Sequence, residues 1–186
     1  HAKVVKQLLK GKVNINLQAP NGSSSLYIAC QNGCHEVVKR LLEKNANANI
    51  LNSEYSPLYI ACHKGYYNIV EDLLTMSNAD VNYHSKTNPH ALLAVCHIDR
   101  LDIAKLLVSH GANASSVLCS KTNDNLLHVA IENPFSENIT DWLLETYPQL
   151  LFKKNDLGVT PIEMAFHNKS LFRKIIGICE HMTNVI

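Results

Sequence analysis

Ser24-Ser25-Leu26-Tyr27-Ile28-Ala29-Cys30 and Ser56-Pro57-Leu58-Tyr59-Ile60-Ala61-Cys62 are nearly one segment written twice. Weaker copies follow at His90-Ala91-Leu92-Leu93-Ala94-Val95-Cys96, Asn125-Leu126-Leu127-His128-Val129-Ala130-Ile131 and Thr160-Pro161-Ile162-Glu163-Met164-Ala165-Phe166. Their starts at 24, 56, 90, 125 and 160 are separated by 32, 34, 35 and 35 residues. A fixed period of this length marks a stack of like units, each too small to bury its own apolar face. Ser56-Pro57 and Thr160-Pro161 read as a hydroxyl N-cap followed by proline at the first helical position, where a missing N–H costs nothing. Leu58, Ala61 and Cys62 then recur at i, i+3 and i+4, one face of a helix. Small residues at Ala29, Ala61, Ala130 and Ala165 let neighbouring helices approach closely.

Each of the first four copies is followed by a second helical pattern: Val37-Val38 with Leu41-Leu42, Ile69-Val70 with Leu73-Leu74, Ile103-Ala104 with Leu106-Leu107, and Ile139 with Leu143-Leu144. Leu171, Phe172, Ile175, Ile176 and Ile178 form a last one. Three of the second helices end in an Asn/Ala turn, at Asn45–Asn49, Asn78–Asn82 and Gly111–Ala114, and copy four replaces it with Tyr147-Pro148-Gln149-Leu150-Leu151. Only seven glycines serve all these turns. Asparagine also tolerates the left-handed backbone, and it stands where glycine would be expected.

A period near 33 with T-P-L-H-x-A-like starts and a G-A-D-V-N-like turn resembles the ankyrin repeat. The resemblance covers essentially the whole chain. It implies an all-α repeat solenoid of stacked helix-turn-helix units with β-hairpin fingers. The units are then 1–22 (partial), 23–54, 55–88, 89–123, 124–158 and 159–186 (C-terminal capping repeat). His1–Leu9 matches His35–Leu42 from the valines onward, so the chain is expected to begin inside a repeat, with more polypeptide upstream. The absence of a start methionine and of a signal-peptide pattern agrees with an excised piece. No Asn/Ala turn follows the last helical pattern, so the array is expected to end there.

The composition excludes several classes of function. With 46% hydrophobic residues the chain is no disordered linker. Seventeen basic against sixteen acidic residues leave no electrostatic footprint for nucleic acid, and no apolar run approaches the roughly 18 to 20 residues needed to insert in a membrane. Six sparse cysteines read as reduced thiols, hence a cytoplasmic or nuclear setting. No catalytic constellation is present: there is no phosphate-cradling glycine loop, no G-x-S-x-G and no H-E-x-x-H. No cofactor is implied.

Cys30, Cys62 and Cys96 share one repeat column on the buried helix face, as small hydrophobes. Cys30, Cys34 and His35 invite a zinc reading that fails, because Cys30 faces the core while His35 opens the next helix. Cys119, in the longest finger, is the expected exposed thiol. His63, His97 and His167 share another column near the ends of the first helices. Helices about 8–10 Å apart keep them from sharing a metal, but titration between pH 5 and 8 could modulate contacts to a partner. Tyr27 and Tyr59 replace the histidine of the repeat start and are read as inter-repeat packing.

By the resemblance, the concave groove and finger tips bind another protein or peptide, through a pre-formed surface on a chain that is monomeric by itself. Tyr55 lies on the finger before Ser56-Pro57 and points to the groove in this family. Aromatic side chains make interface anchors, so Tyr55 with His63 and Lys64 is the expected hot spot. Gln31, Asn32, His97, Ile98, Glu132 and Asn133 lie around it in the same helix columns, with Asn21, Ser23, Ser53, Lys86, Lys121 and Asp124 on the fingers. Two other readings stay open. The array could be the recruiting part of a larger enzyme, ubiquitin ligase, kinase or channel, or an enzyme acting through Cys119 or a cysteine–histidine pair.

Overall fold

The structure is a computed structural model that describes Gly11 and residues 13–52, 54–84, 90–119 and 121–183. Helices come in pairs. α1 (Ser25–Gln31) and α2 (His35–Leu42) form the first, α3 (Pro57–His63) and α4 (Tyr67–Met76) the second, α5 (Ala91–Cys96) and α6 (Leu101–Ser109) the third. α7 (Leu126–Glu132) and α8 (Glu137–Thr146) form the fourth, and a 3-10 turn (Pro148–Phe152) leads to α9 (Pro161–Ala165) and α10 (Lys169–Thr183). First helices pack on first helices and second on second, giving the two layers of an all-α repeat solenoid.

Each first helix begins at the residue that starts its copy, because that side chain caps it. Ser24 Oγ accepts the Tyr27 N–H at 3.1 Å and Ser56 Oγ accepts that of Tyr59 at 3.0 Å. Asn125 with His128, and Thr160 with Glu163, form reciprocal capping boxes. Copy three lacks both hydroxyl and proline, and there His90 Nδ1 takes the Leu92 N–H at 3.1 Å. Between the layers runs a thin continuous core. Leu26, Leu58, Leu92 and Leu126 are buried in the first layer, Leu41, Leu73, Leu107 and Leu143 in the second.

The expected β-hairpin fingers are shorter than hairpins. Among the described residues three of them carry a single antiparallel bridge, at Gln18–Ser24, Asn52–Tyr55 and Leu118–Asn125, and the finger before α9 carries none. Ser24 and Asn125 are helix caps as well, so the extended backbone is used up after one pair. Side chains join the fingers instead: Asn52 Nδ2 donates to Ser23 Oγ at 3.2 Å, and Asn155 Nδ2 to Asp124 Oδ1 at 2.7 Å.

Asparagines at the far ends of the repeats tie one unit to the next. Asn16, Asn49 and Asn82 each accept the backbone N–H of a residue one turn further along the stack: Asn47 (2.8 Å), Asp80 (2.9 Å) and Asn113 (3.0 Å). Asn49 and Asn82 also donate to the carbonyls of Asn78 and Gly111, both at 2.9 Å. Ser115 takes the next place and the series stops, where the Pro148 turn replaces the Asn/Ala turn. Asparagine also replaces glycine as read from the sequence: Asn45 and Asn123 have φ of 58° and 53°. Asp99, at φ 50°, stands where Gly33 and Gly65 stand in earlier repeats. Its carboxylate offsets the strain by accepting the Ile139 N–H at 2.9 Å and Asn138 Nδ2 at 2.5 Å.

Candidate functional site

Tyr55 is held by the bridge to Asn52, one residue before the cap of α3. Its N–H donates to Asn52 O at 2.8 Å, and its carbonyl accepts the Asn52 N–H at 3.0 Å. From there Tyr59 and His63 follow at helical spacing along α3. The three rings stack: Tyr55 and Tyr59 lie 4.8 Å apart at 11°, Tyr59 and His63 6.0 Å apart at 6°. Tyr55 and Tyr59 are half-buried and His63 is exposed. Their apolar rings are thus already ordered against one another on the face of α3. An incoming chain has little side-chain entropy left to remove there.

Tyr27, 3% exposed, and Tyr59, half-buried against the core, both pack as expected, and Tyr59 is in addition the middle ring of the stack. The step of four from 55 to 59 to 63 is the signal in the sequence that could have found it. Burial, with Tyr55 and Cys62 nearby, pushes the Tyr59 phenol above its ordinary range. Burial, followed by the influence of Tyr55, Glu54 and Cys30, does the same to Tyr27. Both phenols are therefore neutral hydrogen-bonding groups.

The remaining expected residues divide by what their side chains touch. Gln31, His63, His97 and Glu132 are exposed at the ends of successive first helices, with Lys64 beside them and His167 just past α9. Asn32 is exposed but donates Nδ2 to Ile28 O at 2.9 Å. Ile98 is half-buried near Gly65. Asn133 is engaged inside the stack, with Nδ2 donating to His97 O at 2.9 Å and Ser136 Oγ at 2.7 Å. On the fingers, Lys121 and Asn21 are exposed, Ser23 is buried and bonded to Asn52, and Asp124 joins Asn155 and Thr122. Ser53 and Lys86 lie outside the described residues.

Cys30, Cys62 and Cys96 are buried. Burial pushes all three thiols far up, that of Cys96 to about 12, so none is a nucleophile near neutrality. Among the described side chains the exposed thiol is Cys34 and not Cys119, which is half-buried because it packs against the core. Among the described residues no three His, Cys, Asp or Glu side chains converge on a metal position, and no helix is long and apolar enough to cross a membrane. Residues 1–85 match a family model described as ankyrin repeats in three copies.

Proposed function

We propose, from the premise that this chain belongs to the ankyrin-repeat family, that it is an adaptor whose partner protein docks on the Tyr55–Tyr59–His63 face. Ankyrin repeats are generally protein–protein interaction modules and typically non-catalytic. The observation that carries the reading is the stacked ring series: two half-buried tyrosines and an exposed histidine, pre-ordered on a first helix. Lys64, Gln31, His97 and Glu132 supply polar contacts around it, with repeat boundaries at 23, 55, 89, 124 and 159. Near-zero net charge favours a partner selected by shape and hydrogen bonding over one selected by charge. The buried thiols suit a reducing compartment such as the cytoplasm.

The test is a pulldown with wild type beside Tyr55→Ala/His63→Ala/Lys64→Ala, with urea unfolding showing that the variant remains folded. Loss of partners from the folded variant supports the reading. Partners retained equally by both proteins would place the interface on another face.

A further inference from the structure

In three repeats the residue just before the second helix, Tyr66, Arg100 or Ser136, reaches back to the end of the first helix or the helix–helix turn of the preceding repeat. Tyr66 lays its ring on Gly33, so closely that a Cβ there would come within 2.8 Å of Tyr66 Cζ. Arg100 lies over Gly65 and donates Nη1 to its carbonyl at 2.5 Å, while its Nε and Nη2 hold Asp102. Ser136 donates Oγ to Cys96 O. Asn168 holds this place before α10 and does not reach back. Its Oδ1 accepts the Leu171 N–H at 3.1 Å and caps its own helix. Between the α7–α8 turn and the start of α10 a cavity of about 330 Å³ is left.

The cavity has the chemistry of an acceptor site. α7 runs into Pro134, which has no N–H, and the Phe135 N–H turns to Asn133 Oδ1 at 3.1 Å. Among the described residues, therefore, no donor reaches the carbonyls of Ala130 and Ile131, both on the cavity wall. At the same end of α5, Cys96 O and His97 O are taken by Ser136 and Asn133. Glu137 and Asp141 add two carboxylates against one ammonium, Lys174, which pairs with Asp141.

We propose that this cavity receives an arginine side chain from a partner protein, its guanidinium placed as Arg100 is placed over Gly65. A planar cation with several fixed donors serves adjacent carbonyls and a carboxylate together, which a lysine ammonium does less well. The site stands at the opposite end of the helices from the fingers and does not depend on the Tyr55 face.

The probe is Nα-acetyl-arginine amide titrated into the 186-residue chain, followed by backbone NMR. Saturable shifts are expected at Ala130, Ile131, Glu137 and Leu171, with the lysine and citrulline analogues about tenfold weaker. Asn168→Arg, which supplies the missing side chain from within, abolishes the shifts while the thermal midpoint holds or rises. Glu137→Gln weakens binding about threefold to tenfold and keeps the test informative if Asn168→Arg does not fold. Absent or unsaturable shifts, citrulline binding as tightly as arginine, or shifts that persist in folded Asn168→Arg would overturn the proposal. So would inorganic phosphate perturbing the same amides in place of arginine.

Discussion

Acidification should weaken the third repeat through His90. The imidazole is 3% exposed and caps α5, whose six residues are all buried. Nδ1 accepts the Leu92 N–H, and Nε2–H makes a long bond of 3.4 Å to Asn82 Oδ1. The capping bond requires the neutral ring, because a protonated Nδ1 cannot accept the Leu92 N–H. Burial first, and then His84, lower its pKa from 6.5 to about 4 against a partly opposing Asp80. A lowered histidine pKa means that the unfolded chain takes up the proton first. The stability is therefore intact above pH 6.5 and is lost as pH falls toward 4. At about 1.4 kcal/mol per pH unit, His90 alone removes about 2 kcal/mol by pH 5 and about 3 kcal/mol across the window. His90→Asn keeps a capping oxygen but does not titrate. Urea unfolding of both proteins at about pH 7.5, 6 and 5, followed by circular dichroism, should show the wild type losing about 2 kcal/mol more than the variant. Equal pH slopes would refute the reasoning, since the other histidines are common to both chains.

Asn49→Ala removes two inter-repeat hydrogen bonds at the exposed end of the stack and should cost about 1 to 2 kcal/mol in the same unfolding assay. A cost near zero would show that water replaces them fully. Gly33→Ala puts a Cβ at positive φ against the Tyr66 ring and should cost about 2 to 4 kcal/mol. Gly158→Ala, with a similar φ of 76° and no atom within 4 Å, should cost only about 1 to 2 kcal/mol. Equal losses would mean that Tyr66 yields freely. Among the five cysteines whose side chains are described, thiol alkylation followed by mass spectrometry should label Cys34 first and Cys119 more slowly, with Cys30, Cys62 and Cys96 labelled only on unfolding. Early labelling of Cys62 would contradict the packing of the first-helix layer.

What the chain determined by itself is whatever depends on neighbours within a few residues. Ser56-Pro57 caps and starts a helix by its local chemistry, and the left-handed turns at Asn45 and Asn123 follow the general preference of asparagine for that backbone. The repeat period then fixed which helices are equivalent and put Cys30, Cys62 and Cys96 in one buried column. Side chains with a choice of partners were decided only by the folded stack. Tyr59 packs against the core as Tyr27 does, but only the folded stack set its ring between Tyr55 and His63. Asn133 carries the polar amide of an interface residue, yet the carbonyl ends of α5 and the adjoining turn claim it. Cys119 sits in the longest finger and is still half-buried against the core. Asn168 shows the competition most clearly. Tyr66 and Arg100 lie over the preceding turn, whereas Asn168 is short enough to cap its own helix and leaves that space open. Local propensity sets the repeat, but the reach of one side chain against the next repeat sets where the surface is filled and where it can take a partner.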